Sequence, residues 1–165
     1  MAKVRLVVFD ADDVIFSSNS DCYLGQATLP VKRLGRDIVE DSKRCRIILD
    51  EEARTVLSEL KNRGIHISLD SVNKLREAET ILQLLELDGF FEHRKINFGD
   101  KGNNILEILK EFKKEDNLDI STEEVMFIDD VEKFCLDVKR ALKGKGIVLQ
   151  MGKDIHHLSE LLEFL

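Results

Sequence analysis

The chain has no tryptophan, one tyrosine and one proline, and aromatic residues make up only 6% of its 165 positions. Its core must therefore be aliphatic. Cysteine is also sparse: Cys22, Cys45 and Cys135 are widely scattered, with no Cys-x-x-Cys pair. An odd, dispersed set argues against a disulfide framework and a structural zinc site, and it favours a reducing, cytoplasmic setting. No apolar run approaches the roughly 18–20 residues that span a bilayer. The opening MAKVRLVVFD reaches an aspartate too soon for a secretory signal, so no membrane is expected. Positive charge is in deficit, with 25 basic residues against 32 acidic ones and a net charge of -7. That balance excludes nucleic acid as a general partner. What remains, 43% hydrophobic and 35% charged, is the composition of one globular domain spanning residues 1–165.

Val4–Phe9 (VRLVVF) is short, β-branched and almost wholly apolar, the pattern of a strand buried on both faces of a parallel sheet. Ile65–Leu69, Lys95–Phe98, Val125–Ile128 and Ile147–Gln150 repeat it. Helical periodicity fills the intervals. Ala53, Val56, Leu57 and Leu60 share one face of a helix that Asp50 would cap. Leu75, Ala78, Ile81, Leu82 and Leu85 form a second stripe, with Asn73 as its cap. Ile105, Leu106, Ile108, Leu109 and Phe112 form a third, and Val131, Phe134, Cys135, Val138 and Leu142 a fourth. Ile155, Leu158, Leu161, Leu162 and Leu165 predict a fifth helix. Alternating strands and helices predict a three-layer α/β sandwich around a five-stranded parallel sheet. Residues 28–49 break the alternation and predict a β-hairpin arm after the first strand, carrying six basic residues against three acidic ones. That charge either attracts an anionic substrate or protects an exposed sheet edge.

A parallel sheet places its sites at the carboxyl ends of its strands. The first strand ends in Asp10-Ala11-Asp12-Asp13, the second in Asp70-Ser71 and the fourth in Asp129-Asp130, while Lys101 follows the third. Carboxylates from different strands make an all-oxygen site suited to Mg²⁺. A carboxylate there can attack phosphorus, and a second acid two residues on can protonate the leaving oxygen. A lysine and a serine hydroxyl can hold the other phosphoryl oxygens. Lys95 also lies near the third strand, but inside it; the loop position favours Lys101. Asp70 competes with Ser71 for the second strand end. His66 reads as a core histidine, His156-His157 as a solvated pair and Cys135 as core.

These motifs resemble the haloacid dehalogenase (HAD) superfamily. VVFDADDV is similar to its first motif, Ser71 after ISLD to its second, Lys101 to its third and VMFIDD to its fourth. FDADDVIF, the arm, FEHRKINFGDK and FIDDVEKFCLDV resemble more closely the small, nearly capless magnesium-dependent phosphatases, from Lys3 to about Gly152.

The resemblance implies a Rossmann-like fold with strand order 3-2-1-4-5 and hydrolysis of phosphate monoesters through an aspartyl-phosphate. It implies Asp10 as nucleophile and Mg²⁺ ligand, and Asp12 as general acid/base that binds the metal through its backbone carbonyl. Asp130 would be the third protein ligand, with Asp129 beside it as second ligand or support. Ser71, Lys101 and the backbone N–H of Ala11 would hold the phosphoryl group. With only an arm as lid, the substrate would be a phosphorylated small molecule or a phosphoprotein. Two departures stand out: Val72 follows Ser71 where the family has arginine, and Val14 replaces a threonine. The alternatives are a HAD phosphotransferase and a non-catalytic phosphate- or protein-binding module with a vestigial site. The intact Asp12 argues against the latter.

Overall fold

The computed structural model describes residues 2–19, 22 and 24–165. Five strands, β1 (Leu6–Phe9), β6 (His66–Ser71), β7 (Lys95–Ile96), β8 (Val125–Asp129) and β9 (Ile147–Gln150), form one sheet in the order β7-β6-β1-β8-β9. All its pairings are parallel. Counted along the chain, this is the order 3-2-1-4-5.

Alternate residues of β1 serve opposite layers, as strand periodicity requires. Val7 and Phe9 pack with Ala53, Val56, Leu57 and Leu60 of α1 (Ala53–Asn62) and with Ala78, Ile81 and Leu82 of α2 (Leu75–Leu84). Leu6 and Val8 pack with Ile105, Ile108 and Phe112 of α3 (Lys101–Asp116) and with Val138 of α4 (Glu132–Ala141). Two aliphatic cores thus sandwich the sheet.

The arm is larger than a hairpin. β2 (Phe16–Ser18), β3 (Lys32–Arg33), β4 (Ile38–Glu40) and β5 (Arg46–Leu49) form a four-stranded antiparallel sheet in the order β2-β5-β4-β3. Asp41 organises it: its carboxylate accepts from the backbone of Thr28, Lys43 and Cys45 at 2.8 Å each. Burial pushes this carboxyl up, but the three N–H donors outweigh burial and hold it below the usual range. Arg33 pairs with Glu86 and Arg46 with Glu40, so part of the arm's positive charge is already matched.

Several expectations need correction. Cys22 and Cys45 are disulfide-bonded, with Cα atoms 6.1 Å apart. The pairing of Ser18 with Ile47, extended by the Asn19 N–H to Arg46 oxygen bond, brings them together. No linear spacing shows this, and the cysteine-count argument for a reducing compartment falls with it. Cys135 is free and buried, as expected. The fifth helix is instead a 3₁₀ segment, Leu158–Phe164. Ile155, Leu158 and Leu161 are buried at a spacing of three, which suits that tighter turn. The third strand stops at Ile96, and Phe98 is 72% exposed. α1 follows Glu52, and the Asp50 carboxylate accepts the Glu52 N–H at 2.9 Å at its start, in keeping with the expected capping role. α2 follows Lys74 with no side-chain cap bond, so Asn73 does not serve as its N-cap. Among the described residues, no helix is long and apolar enough to cross a membrane.

Candidate active site

The β1 strand delivers Asp10 at its carboxyl end, where the Asp10 N–H bonds to the Ile128 oxygen of β8. The chain then turns sharply. The Ala11 carbonyl accepts from the N–H groups of Val14, Ile15 and Phe16, and Asp13 takes the left-handed conformation at φ 59°. This curl points Asp10 and Asp12 differently although they are two residues apart.

β8 delivers Asp129 and Asp130 beside them. Carboxylate oxygens of Asp10, Asp129 and Asp130 lie within 4.8 Å of one another. Lys101, at the start of α3, donates to Asp10 Oδ1 at 2.8 Å and to Asp129 Oδ2 at 2.5 Å. Its side chain is 1% exposed, and its ammonium lies 4.7 Å from the centroid of the Phe134 ring. Asp100 caps α3 by accepting from the Asn103 N–H at 2.8 Å, fixing where Lys101 begins.

Burial drives the Asp10 carboxyl well above its ordinary range. Lys101 pulls it down, while Asp129 and Asp12 push it up. Burial, then Asp129, raises Asp130 to about 6. Burial opposes the charge on Lys101, but Asp10 and Asp129 together raise the lysine. Three carboxylates facing one ammonium leave a negative excess. That excess and the all-oxygen donor set fit a hard divalent cation.

Asp12 stands outside this cluster of carboxylate oxygens. Its Oδ1 accepts from the Leu24 N–H at 2.9 Å, and its Oδ2 accepts from the Asn73 side chain at 2.7 Å. Burial raises its carboxyl, partly offset by those two donors. Ser71 ends β6 fully buried, with Asn73 Nδ2 at 2.5 Å from its Oγ. Behind it, Asp70 Oδ1 accepts from Asn104 at 2.9 Å. Asp70 Oδ2 has no partner among the described residues, and burial lifts this carboxyl to about 7.

The seven residues singled out from the sequence thus lie on three adjacent strand ends and one helix start. Asp10, Asp129, Asp130 and Lys101 meet directly, and Asp12 joins Ser71 through Asn73. Lys95 pairs with Glu111 instead. His66 is half-buried against Glu92 at 2.9 Å, and His156 and His157 are exposed. Sequence reasoning missed the Leu24 N–H and misassigned Asn73. For Asn73 a signal existed, since it stands two residues beyond Ser71 on the same rim.

A family model described as Acid Phosphatase matches residues 3–163. No curated protein matches the sequence. Among solved structures, the N-terminal part of BF1531 from Bacteroides fragilis, containing a phosphatase domain complexed with Mg, is similar at TM-score 0.64 and 21% identity. That alignment covers 98% of this chain, which spans 39% of the other. A HAD-superfamily hydrolase from Ehrlichia chaffeensis aligns at TM-score 0.68 and 15% identity, over 99% and 97% of the two chains. A HAD-superfamily hydrolase of subfamily IA, variant 1, from Geobacter sulfurreducens aligns at 0.62 and 17%, over 98% and 100%.

Proposed function

The chain belongs to the acid phosphatase family, and on that premise we propose that it is a Mg²⁺-dependent phosphatase hydrolysing phosphate monoesters through an aspartyl-phosphate on Asp10. The supporting observation is the convergence of Asp10, Asp129, Asp130 and Lys101 on one rim, with Asp12 oriented separately beside them.

Asp10, Asp130 and Asp129, with the Asp12 carbonyl, would hold Mg²⁺, which when bound neutralises charge on the phosphoryl oxygens. In the first step an Asp10 oxygen attacks phosphorus as the bond to the leaving oxygen breaks, and Asp12 gives that oxygen its proton. In the second, Asp12 takes a proton from water, whose oxygen displaces Asp10 and releases inorganic phosphate. Lys101 fixes the Asp10 carboxylate through Oδ1 and adds positive charge where the phosphoryl group arrives. Ser71 and the Ala11 N–H hold the remaining phosphoryl oxygens. The substrate is a phosphorylated small molecule or a phosphate presented on a protein.

The test is turnover of 4-nitrophenyl phosphate with and without Mg²⁺, by wild type and Asp10→Asn. Mg²⁺-dependent activity that disappears in the variant is expected. No turnover of any phosphate ester, together with no binding of BeF₃⁻, overturns the reading.

A further inference from the structure

Asn73 occupies the place where an asparagine ordinarily caps a helix, but it does not cap α2. It is 5% exposed, and its Nδ2 donates to both Asp12 Oδ2 and Ser71 Oγ, at 2.7 and 2.5 Å. One amide thereby joins the two residues that, on the reading above, handle the leaving group and the phosphoryl group. We propose that Asn73 is a positioning residue that aims the Asp12 carboxyl at the leaving oxygen and the Ser71 hydroxyl at the phosphoryl group.

The geometry carries this in three ways. First, each of the two Asp12 oxygens receives its own donor, the Leu24 N–H on Oδ1 and the Asn73 amide on Oδ2, which restrict rotation of the carboxyl plane. The Leu24 N–H comes from the backbone between β2 and β3 of the arm, so Asn73 is the side-chain half of this clamp. Second, a primary amide nitrogen carries two hydrogens and can serve both acceptors at once; a serine or threonine hydroxyl has only one. Third, Ser71 Oγ acts as acceptor toward Asn73, so its single hydrogen remains to be donated elsewhere. Asn73 stands one residue past Val72, where arginine is the expected neighbour of Ser71. The chain thus lacks a charged contact there but has a neutral double donor one position on.

This inference rests on Asp12 acting as general acid, and it predicts a dependence on the leaving group. An alkoxide needs the proton from Asp12, whereas dinitrophenolate leaves without it. The experiment compares kcat/KM of Asn73→Ala and wild type on a primary alkyl phosphate and on 2,4-dinitrophenyl phosphate. A fall of about thirtyfold or more for the alkyl ester is expected, against about threefold or less for the aryl ester, as for partial loss of general acid catalysis. Asn73→Leu keeps the approximate shape but removes the donor; it serves if Asn73→Ala is unfolded at the assay temperature, and the same split is expected. Equal losses on both esters, or no loss, in a folded variant overturn the positioning role. Absence of turnover by wild type overturns the phosphatase reading instead.

Discussion

The ammonium of Lys101 lies 2.8 Å from Asp10 Oδ1, and this bond ties the first turn of α3 to the end of β1. Ninety-one residues separate the two in sequence, so the parallel topology alone creates the pair. Lys101→Met therefore has two expected effects. Two buried carboxylates lose their counter-charge, which costs about 3–5 kcal/mol of stability. Activity falls by about a thousandfold, as for loss of a preorganised electrostatic contact. Urea unfolding and single-turnover kinetics check the two effects separately.

Mg²⁺ is expected to stabilise the folded chain by mass action. At one hundred times its dissociation constant it adds about 2.7 kcal/mol, and a chelator reverses the gain. Asp130→Asn removes a donor from the cluster, so the Mg²⁺-dependent rise in Tm should vanish at matched concentration. A rise equal to that of wild type would remove Asp130 from the ligand set.

Asp70 gives the fold a defined pH dependence. Burial lifts its carboxyl from 3.8 to about 7, so the native state keeps a proton that the unfolded chain releases near 3.8. Between those values the native state binds more protons, and stability falls as pH rises. The contribution is fully present below about pH 4 and lost by about pH 7. Asp70→Asn should flatten that slope and melt above wild type at pH 8, as thermal melts across pH will show.

A methyl group at Gly102 would lie 2.9 Å from the Asp137 carbonyl oxygen and 3.0 Å from Ala141 Cβ, both on α4. The first obstacle is backbone, which cannot swing aside. Gly102→Ala is expected to cost about 1–3 kcal/mol through overpacking. Because Lys101 precedes it, a fall in kcat should accompany the loss, measured well below the melting temperature.

The core sheet was legible because each of its longer strands is an apolar run bounded by turn residues, and its strand order followed from motif resemblance rather than periodicity. The clustered carboxylates were legible because strand ends in a parallel sheet share one rim. What was hidden depends on tertiary pairing. Cys22 meets Cys45 through antiparallel register, and the Leu24 N–H meets Asp12 because the intervening chain doubles back. Asn73 was assigned a local role because local capping is the ordinary use of asparagine before a helix, and here the site takes its amide instead. The last helix was misjudged because Leu162 and Leu165 extend the apolar pattern toward a period of 3.6, while the buried spacing is three.

The arm sheet leaves and rejoins the body at positions that face each other, Phe16 opposite Leu49. The chain between them is therefore an insertion with a closed mouth. Residues added at its far turn, Ser42–Arg44, enter and exit without changing the span between those two anchors, and closing a longer loop costs little extra entropy. The body can thus accept a longer far turn at one port, provided the Leu24 N–H that holds Asp12 is kept.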